Sequence, residues 1–171
     1  MIILAFGLLG LAALQGKMQL YEFESYQRAQ ALLLLSQMSE EISANRSNAA
    51  HYVSTSLLGT GDSQPSTCSG AIGAPYDLCM WSNDLKGAGE INSSSKIGAM
   101  EGARGCISQI QSPNISAGVC TPGIYEIDVV WQGAQPTEVS PISCGSGNYG
   151  ANDALRRVVS TRITIGMPSC S

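Results

Sequence analysis

Met1-Ile-Ile-Leu-Ala-Phe-Gly-Leu-Leu-Gly-Leu-Ala-Ala-Leu14 opens the chain, and no proline occurs in its first 58 residues. The apolar run passes without a break into a stretch from Lys17 to Leu58 that holds neither Gly nor Pro and is rich in Leu, Gln, Ala, Glu and Ser. Within it Ala31, Leu35, Met38, Ile42, Ala49, Val53 and Leu57 recur at steps of three, four or seven, which stacks them on one helix face. Arg28, Glu40, Glu41 and Arg46 fall outside that stripe. The pattern predicts one helix over residues 1–58, about 85 Å long at 1.5 Å per residue. Gly59-Thr60-Gly61 supplies the stop, since glycine takes the left-handed conformation after a last turn. The remaining residues, 59–171, cannot wrap a rod of that length, so part of it must pack against something else.

The front of the helix is too short to settle its own setting. Met1 to Leu14 falls below the roughly 20 residues that cross a bilayer as a helix. A cleaved signal peptide would need a basic residue ahead of the run and a small-x-small site before Gln15, and neither stands out. A buried core helix would need a solvent face, which the all-round apolar residues 2–9 lack. The reading adopted is the back portion of a membrane helix whose front portion lies outside this chain. Gly7, Gly10 and Ala13 at steps of three allow close approach between such helices, although glycine is common in membrane helices for other reasons.

Charge and cysteines narrow the class. A net charge of −4 with scattered Lys and Arg leaves no basic patch, which argues against a nucleic-acid partner. All six cysteines (Cys68, Cys79, Cys106, Cys120, Cys144, Cys170) lie beyond the helix in Gly- and Ser-rich sequence. An even count of that kind reads as disulfides formed in an oxidising compartment. A metal site is disfavoured, because there is no Cys-x-x-Cys pair and the single histidine, His51, sits on the helix. Sequential pairing would join Cys68 to Cys79, Cys106 to Cys120 and Cys144 to Cys170, each closure contributing about 2–4 kcal/mol.

Beyond Gly59 the sequence is loop-rich to about residue 100. A short helix is expected at Tyr76–Lys86, with Leu78, Trp81 and Leu85 on its apolar face. Three strands follow at Arg104–Gln111, Ile124–Gln132 and Leu155–Ile165. In the second, Tyr125, Ile127, Val129 and Trp131 share one face, and Glu126, Asp128 and Gln132 the other. One helix, a loop region and consecutive strands read as α+β, with a small antiparallel sheet laid on the helix and disulfide-stapled loops. The domain division is therefore 1–58 for the helix, with 1–14 its membrane or filament-core part and 17–58 its amphipathic part, and 59–171 for the head.

No catalytic set emerges. Gly145-Ser-Gly147-Asn-Tyr-Gly150 matches a dinucleotide fingerprint, but a cysteine precedes it and a strand, not a helix, follows, so it reads as a loop. His51, the only imidazole, lies among Ala49, Ala50, Tyr52 and Val53 and reads as the flank of a packed helix. Glu126 and Asp128 pose as paired carboxylates but read as the solvated side of an edge or outer strand. Glu40-Glu41 reads as an exposed helix pair. Asn45-Arg-Ser47, Asn92-Ser-Ser94 and Asn114-Ile-Ser116 fit the glycosylation pattern, which serine-rich loops produce by chance. Trp81 and Trp131 read as core anchors. No cofactor, metal or small-molecule substrate is implied.

The segment Met1–Leu20 resembles the N-terminal helix of type IV pilins, and most closely minor pilins of the PilV family. Met38…Ile42…Ala44-Asn-Arg46, Asp77-Leu78…Trp81…Leu85, Tyr125-Glu-Ile-Asp-Val-Val-Trp131 and Leu155-Arg-Arg-Val-Val159 extend the likeness along most of the chain. That family begins with a basic leader and a Phe-Thr-Leu-Ile-Glu type of start. Neither is found here, and Met1 falls inside what would be the membrane helix, so processing cannot be carried onto any residue of this sequence. The resemblance implies a ladle fold and a structural, non-enzymatic role. A minor pilin sits in the bacterial inner membrane with its head in the periplasm, then joins a complex that primes pilus assembly and caps the tip. Its partners would be other minor pilins, the major pilin and a tip adhesin, met through Ile3, Leu4, Phe6, Gly7, Leu8, Gly10, Leu11 and Leu14. A type II secretion pseudopilin shares this architecture, and a secreted disulfide-rich binding domain with an uncleaved signal segment is the rival from another class.

Overall fold

The computed structural model describes residues 2–89, 91–92, 95–96, 100–116 and 118–166, with the backbone alone at 2–6, 8, 91–92 and 95–96. Helix α1 spans Ile2–Ala44, 43 residues or about 65 Å. The single helix expected through Leu58 therefore ends early. Asn45 leaves helical geometry at φ −106°, ψ 40°, and a 3-10 segment, Arg46–Tyr52, follows with a break at Asn48. The cause is local. Asn and Ser side chains offer the backbone other hydrogen bonds, and here the Asn48 amide donates to Asn45 Oδ1 at 2.8 Å while the Asn45 amide reaches the Tyr52 hydroxyl at 3.1 Å.

After this turn come β1 (Leu58–Gly59), α2 (Ala74–Leu85), a small hairpin of β2 (Ile91–Asn92) and β3 (Ser95–Lys96), then β4 (Arg104–Gln111), β5 (Gly123–Gln132), a 3-10 turn at Ala151–Asp153 and β6 (Arg156–Ile165). The three long strands fall where alternation placed them. With β1 they form an antiparallel sheet in the order β1-β4-β5-β6. A bulge between Gln109 and Gln111 lets Ile110 out of register.

One face of the sheet lies on α1. Ala31, Leu35, Met38 and Ile42 of the expected stripe are buried with Ala49 against Tyr125, Ile127, Val129 and Trp131. Each fully buried aliphatic side chain contributes about 1.5–3 kcal/mol. Helix α2 closes one end of this core. The Trp81 indole is fully buried over Gly105 and donates from Nε1 to the Leu34 carbonyl at 2.9 Å. Both tryptophans are core anchors.

The other face of the sheet is roofed in part by the long β5–β6 connection. Val130, Cys144 and Tyr149 form a second small core there, and Leu57, expected on the α1 stripe, packs into it instead. This roof overturns two expected disulfides. Cys68–Cys79 is formed as expected, but Cys106 bonds to Cys144, with Cα atoms 5.9 Å apart. Cys106 faces outward, opposite Asp128 rather than the helix side, and the returning connection brings Cys144 over it. Cys120 is also disulfide-bonded, and Cys170 lies outside the described residues.

Candidate functional site

The head takes hold of α1 from about Glu24 onward. Arg157 on β6 pairs with Glu24 at 2.9 Å, and the Ala134 amide donates to the same carboxylate at 3.1 Å. Ahead of that grip the described side chains are exposed, Leu20 alone being half-buried. Leu9 (67%), Leu11 (57%) and Leu14 (56%) are exposed, as are Met18, Tyr21 and Phe23. A Cβ added at Gly7 or Gly10 would meet nothing within 4 Å. Of the residues expected to form the assembly face, Gly7, Gly10, Leu11 and Leu14 lie on open helix surface, and the side chains of Ile3, Leu4, Phe6 and Leu8 lie outside those described.

The apolar surface also runs farther than residues 1–14. Tyr26, Leu32 and Leu33 are exposed on the side of α1 away from the sheet. The signal was present in Ala31-Leu-Leu-Leu-Leu35, since consecutive leucines cannot all face one way at 100° per residue. Apolar surface of this extent marks an interface. Among the described residues no helix is long and apolar enough to cross a membrane. Gln15, Lys17 and Gln19 interrupt the run before it reaches the required length.

The remaining sites of the sequence reading fall apart or change character. The Gly145–Gly150 loop leads into the Ala151–Asp153 turn and then a strand. Asp153 fills its cradle: the carboxylate accepts from the Gly147 amide at 2.7 Å, the Tyr149 amide at 3.3 Å and the Ser146 hydroxyl at 3.0 Å. The Gly147 hydrogen bond above all holds the carboxyl below its usual range. An anion's place is thus taken by the protein's own anion. His51 is exposed on the 3-10 segment.

Two acidic pairs were misjudged. Glu41 is half-buried against α2, not an exposed partner of Glu40; burial, with Asp77 and Asp84 adding to it, pushes its carboxyl up. Beside it the Tyr52 hydroxyl donates to Asp77 in a very short hydrogen bond. Asp128, expected on the solvated side of an edge or outer strand, is buried on the central strand β5. Alternation alone put it outward correctly; the roof then covered it. Asn45 of the first glycosylation triplet is tied to Tyr52, Asn114 is exposed and bridged to Thr121, and Ser94 lies outside the described residues. The chain matches no family model, no curated protein and no solved structure.

Proposed function

We propose that this chain is a non-enzymatic minor pilin subunit that takes part in initiating type IV pilus assembly and in the pilus-tip complex. The observation that carries the reading is the division of α1: its rear half is the spine of an antiparallel α+β head, and its front half carries the exposed Leu9, Leu11 and Leu14. A helix built this way moves from lipid into a bundle of like helices without exposing new apolar surface. The partners are the α1-like helices of other minor pilins and of the major pilin, and a tip adhesin beyond them. The head sits in the periplasm before assembly, and the disulfides suit that oxidising compartment.

Deleting residues 1–15 tests this. The shortened chain should stay folded and disulfide-bonded yet fail to co-purify with pilus minor pilins that the full chain captures. Undiminished capture would place the interface in the head and refute the reading. Capture of secretion pseudopilins in preference to pilus subunits would transfer the chain to that machinery.

A further inference from the structure

The last strand of the sheet, β6, has β5 on one side only. Gly133 donates from its backbone N–H to the Leu155 carbonyl at 2.8 Å, continuing the register that pairs Gln132 with Arg156. Hydrogen-bonded pairs recur at every second residue of an antiparallel ladder. Odd-numbered residues of β6 therefore bond to β5, and Val158, Ser160, Arg162 and Thr164 turn their N–H and C=O groups to the open side. None of these four backbones bonds to another described segment. The strand is 10 residues long, paired without a bulge, and free of proline and glycine. Its exposed charge, Arg162, is turned to Glu126 on β5. An edge with so little to blunt it is a template for one more strand. Val159, Ile163 and Ile165 pack on the core yet stay only half-buried, which leaves apolar surface for such a strand to cover.

Helix α1 runs beside the start of this edge. Between them lies a cleft of about 380 Å³, lined by Tyr21, Glu24 and Arg28 of α1 and by Trp131, Arg157 and Val159 of the sheet. Its charges do not cancel. Glu24 is taken by Arg157 and the Ala134 amide, and Arg157 also donates to Thr137 and the Gln135 carbonyl. Arg28 is exposed and has no hydrogen bond or ion pair among the described residues. The cleft thus keeps one spare guanidinium, the side chain best shaped to take a carboxylate.

We propose that β6 receives an extended segment of a partner protein as a fifth strand, with an acidic side chain of that segment seated on Arg28. Main-chain hydrogen bonds to the open edge give the affinity, and the cleft gives the choice of side chain. A second copy of β6 does not fit the site, because Arg156–Ile165 holds no Asp or Glu and would bring three more arginines. The cleft lies behind residue 20 of α1, so the strand site is independent of the helix surface at residues 7–14 and of the pilin reading.

The test is amide hydrogen exchange of the isotope-labelled full chain in detergent, read by NMR with and without the peptide acetyl-Thr-Val-Glu-Val-Thr-Val-amide at about millimolar concentration. The amides of Val158, Ser160 and Arg162 should slow on the order of tenfold, and those of Val159 and Thr161, already in the ladder, far less. Replacing the peptide's glutamate by glutamine should weaken binding up to about fivefold, and in Arg28→Gln the two peptides should bind alike. Two further peptides, N-methylated on alternate sets of amides, leave the protein untouched: one should bind and the other fail, since an edge uses every second amide. No slowing at the open-side amides, binding of both or neither methylated peptide, equal affinity for the glutamine peptide in the parent chain, or slowing that grows with protein concentration in the absence of peptide would overturn the proposal. None of these outcomes bears on whether α1 enters a filament.

Discussion

Replacing Gly105 by alanine should strain the joint between α2 and the sheet. Gly105 has no left-handed backbone to protect, so in isolation the change would stabilise by about 0.5–1 kcal/mol through the unfolded chain. The neighbourhood reverses that sign. An added Cβ would lie 2.2 Å from Trp81 Cη2, 2.4 Å from Cζ3 and 3.0 Å from Leu85 Cδ1, where carbon atoms rest at about 3.5–4.0 Å. The indole must retreat by more than about 1 Å, yet it is fully buried and held by its hydrogen bond to Leu34. Overpacking costs about 1–3 kcal/mol, and losing the indole hydrogen bond adds about 0.5–1.5 kcal/mol. The net expectation is a loss of about 2–3 kcal/mol in urea unfolding followed by tryptophan fluorescence, with an unchanged m-value. Gly89→Ala, which meets nothing within 4 Å, is the control and should stay within about 0.5 kcal/mol. Trp81→Phe should relieve part of the strain in the double variant. A Gly105→Ala protein as stable as its parent would refute this account of the joint.

Arg156 is 3% exposed and holds three carbonyls of the roof; Arg156→Met should cost about 3 kcal/mol and speed proteolysis between residues 138 and 153 before global unfolding. Burial first, and donation to Asp77 second, push Tyr52 up to about 12. The folded state holds that proton more tightly, so stability from this source is full below pH 10 and is lost as pH rises through 12; Tyr52→Phe should flatten that part of the alkaline unfolding curve. Glu41 is raised in the same sense, so its charge costs stability above about pH 4.5. Glu41→Gln, which keeps an acceptor for Gln37, should raise the thermal midpoint at pH 7 and lose that advantage as pH falls below 4.5.

The α+β class, the helix at 74–85 and the three long strands were legible because each rests on short-range periodicity: steps of three and four in Leu78, Trp81 and Leu85, steps of two in Tyr125, Ile127, Val129 and Trp131. The side of α1 that meets the sheet was legible for the same reason. Periodicity speaks only of which way a side chain leaves its own element. It does not say what the rest of the chain later lays over that side, and every misreading in the head has this origin. Asp128 points away from α1 as alternation requires, but the β5–β6 connection folds back above it, and the same fold-back joins Cys106 to Cys144 and draws Leu57 from the helix stripe. The early end of α1 is different in kind. Asn45 and Asn48 are weak helix formers that a search for Gly and Pro passes over, and their competing hydrogen bonds prevail because the turn lets Tyr52 be buried against α2. Local sequence thus set the elements and their faces; long-range closure of loops, whose entropy depends on no single residue, decided what those faces touch.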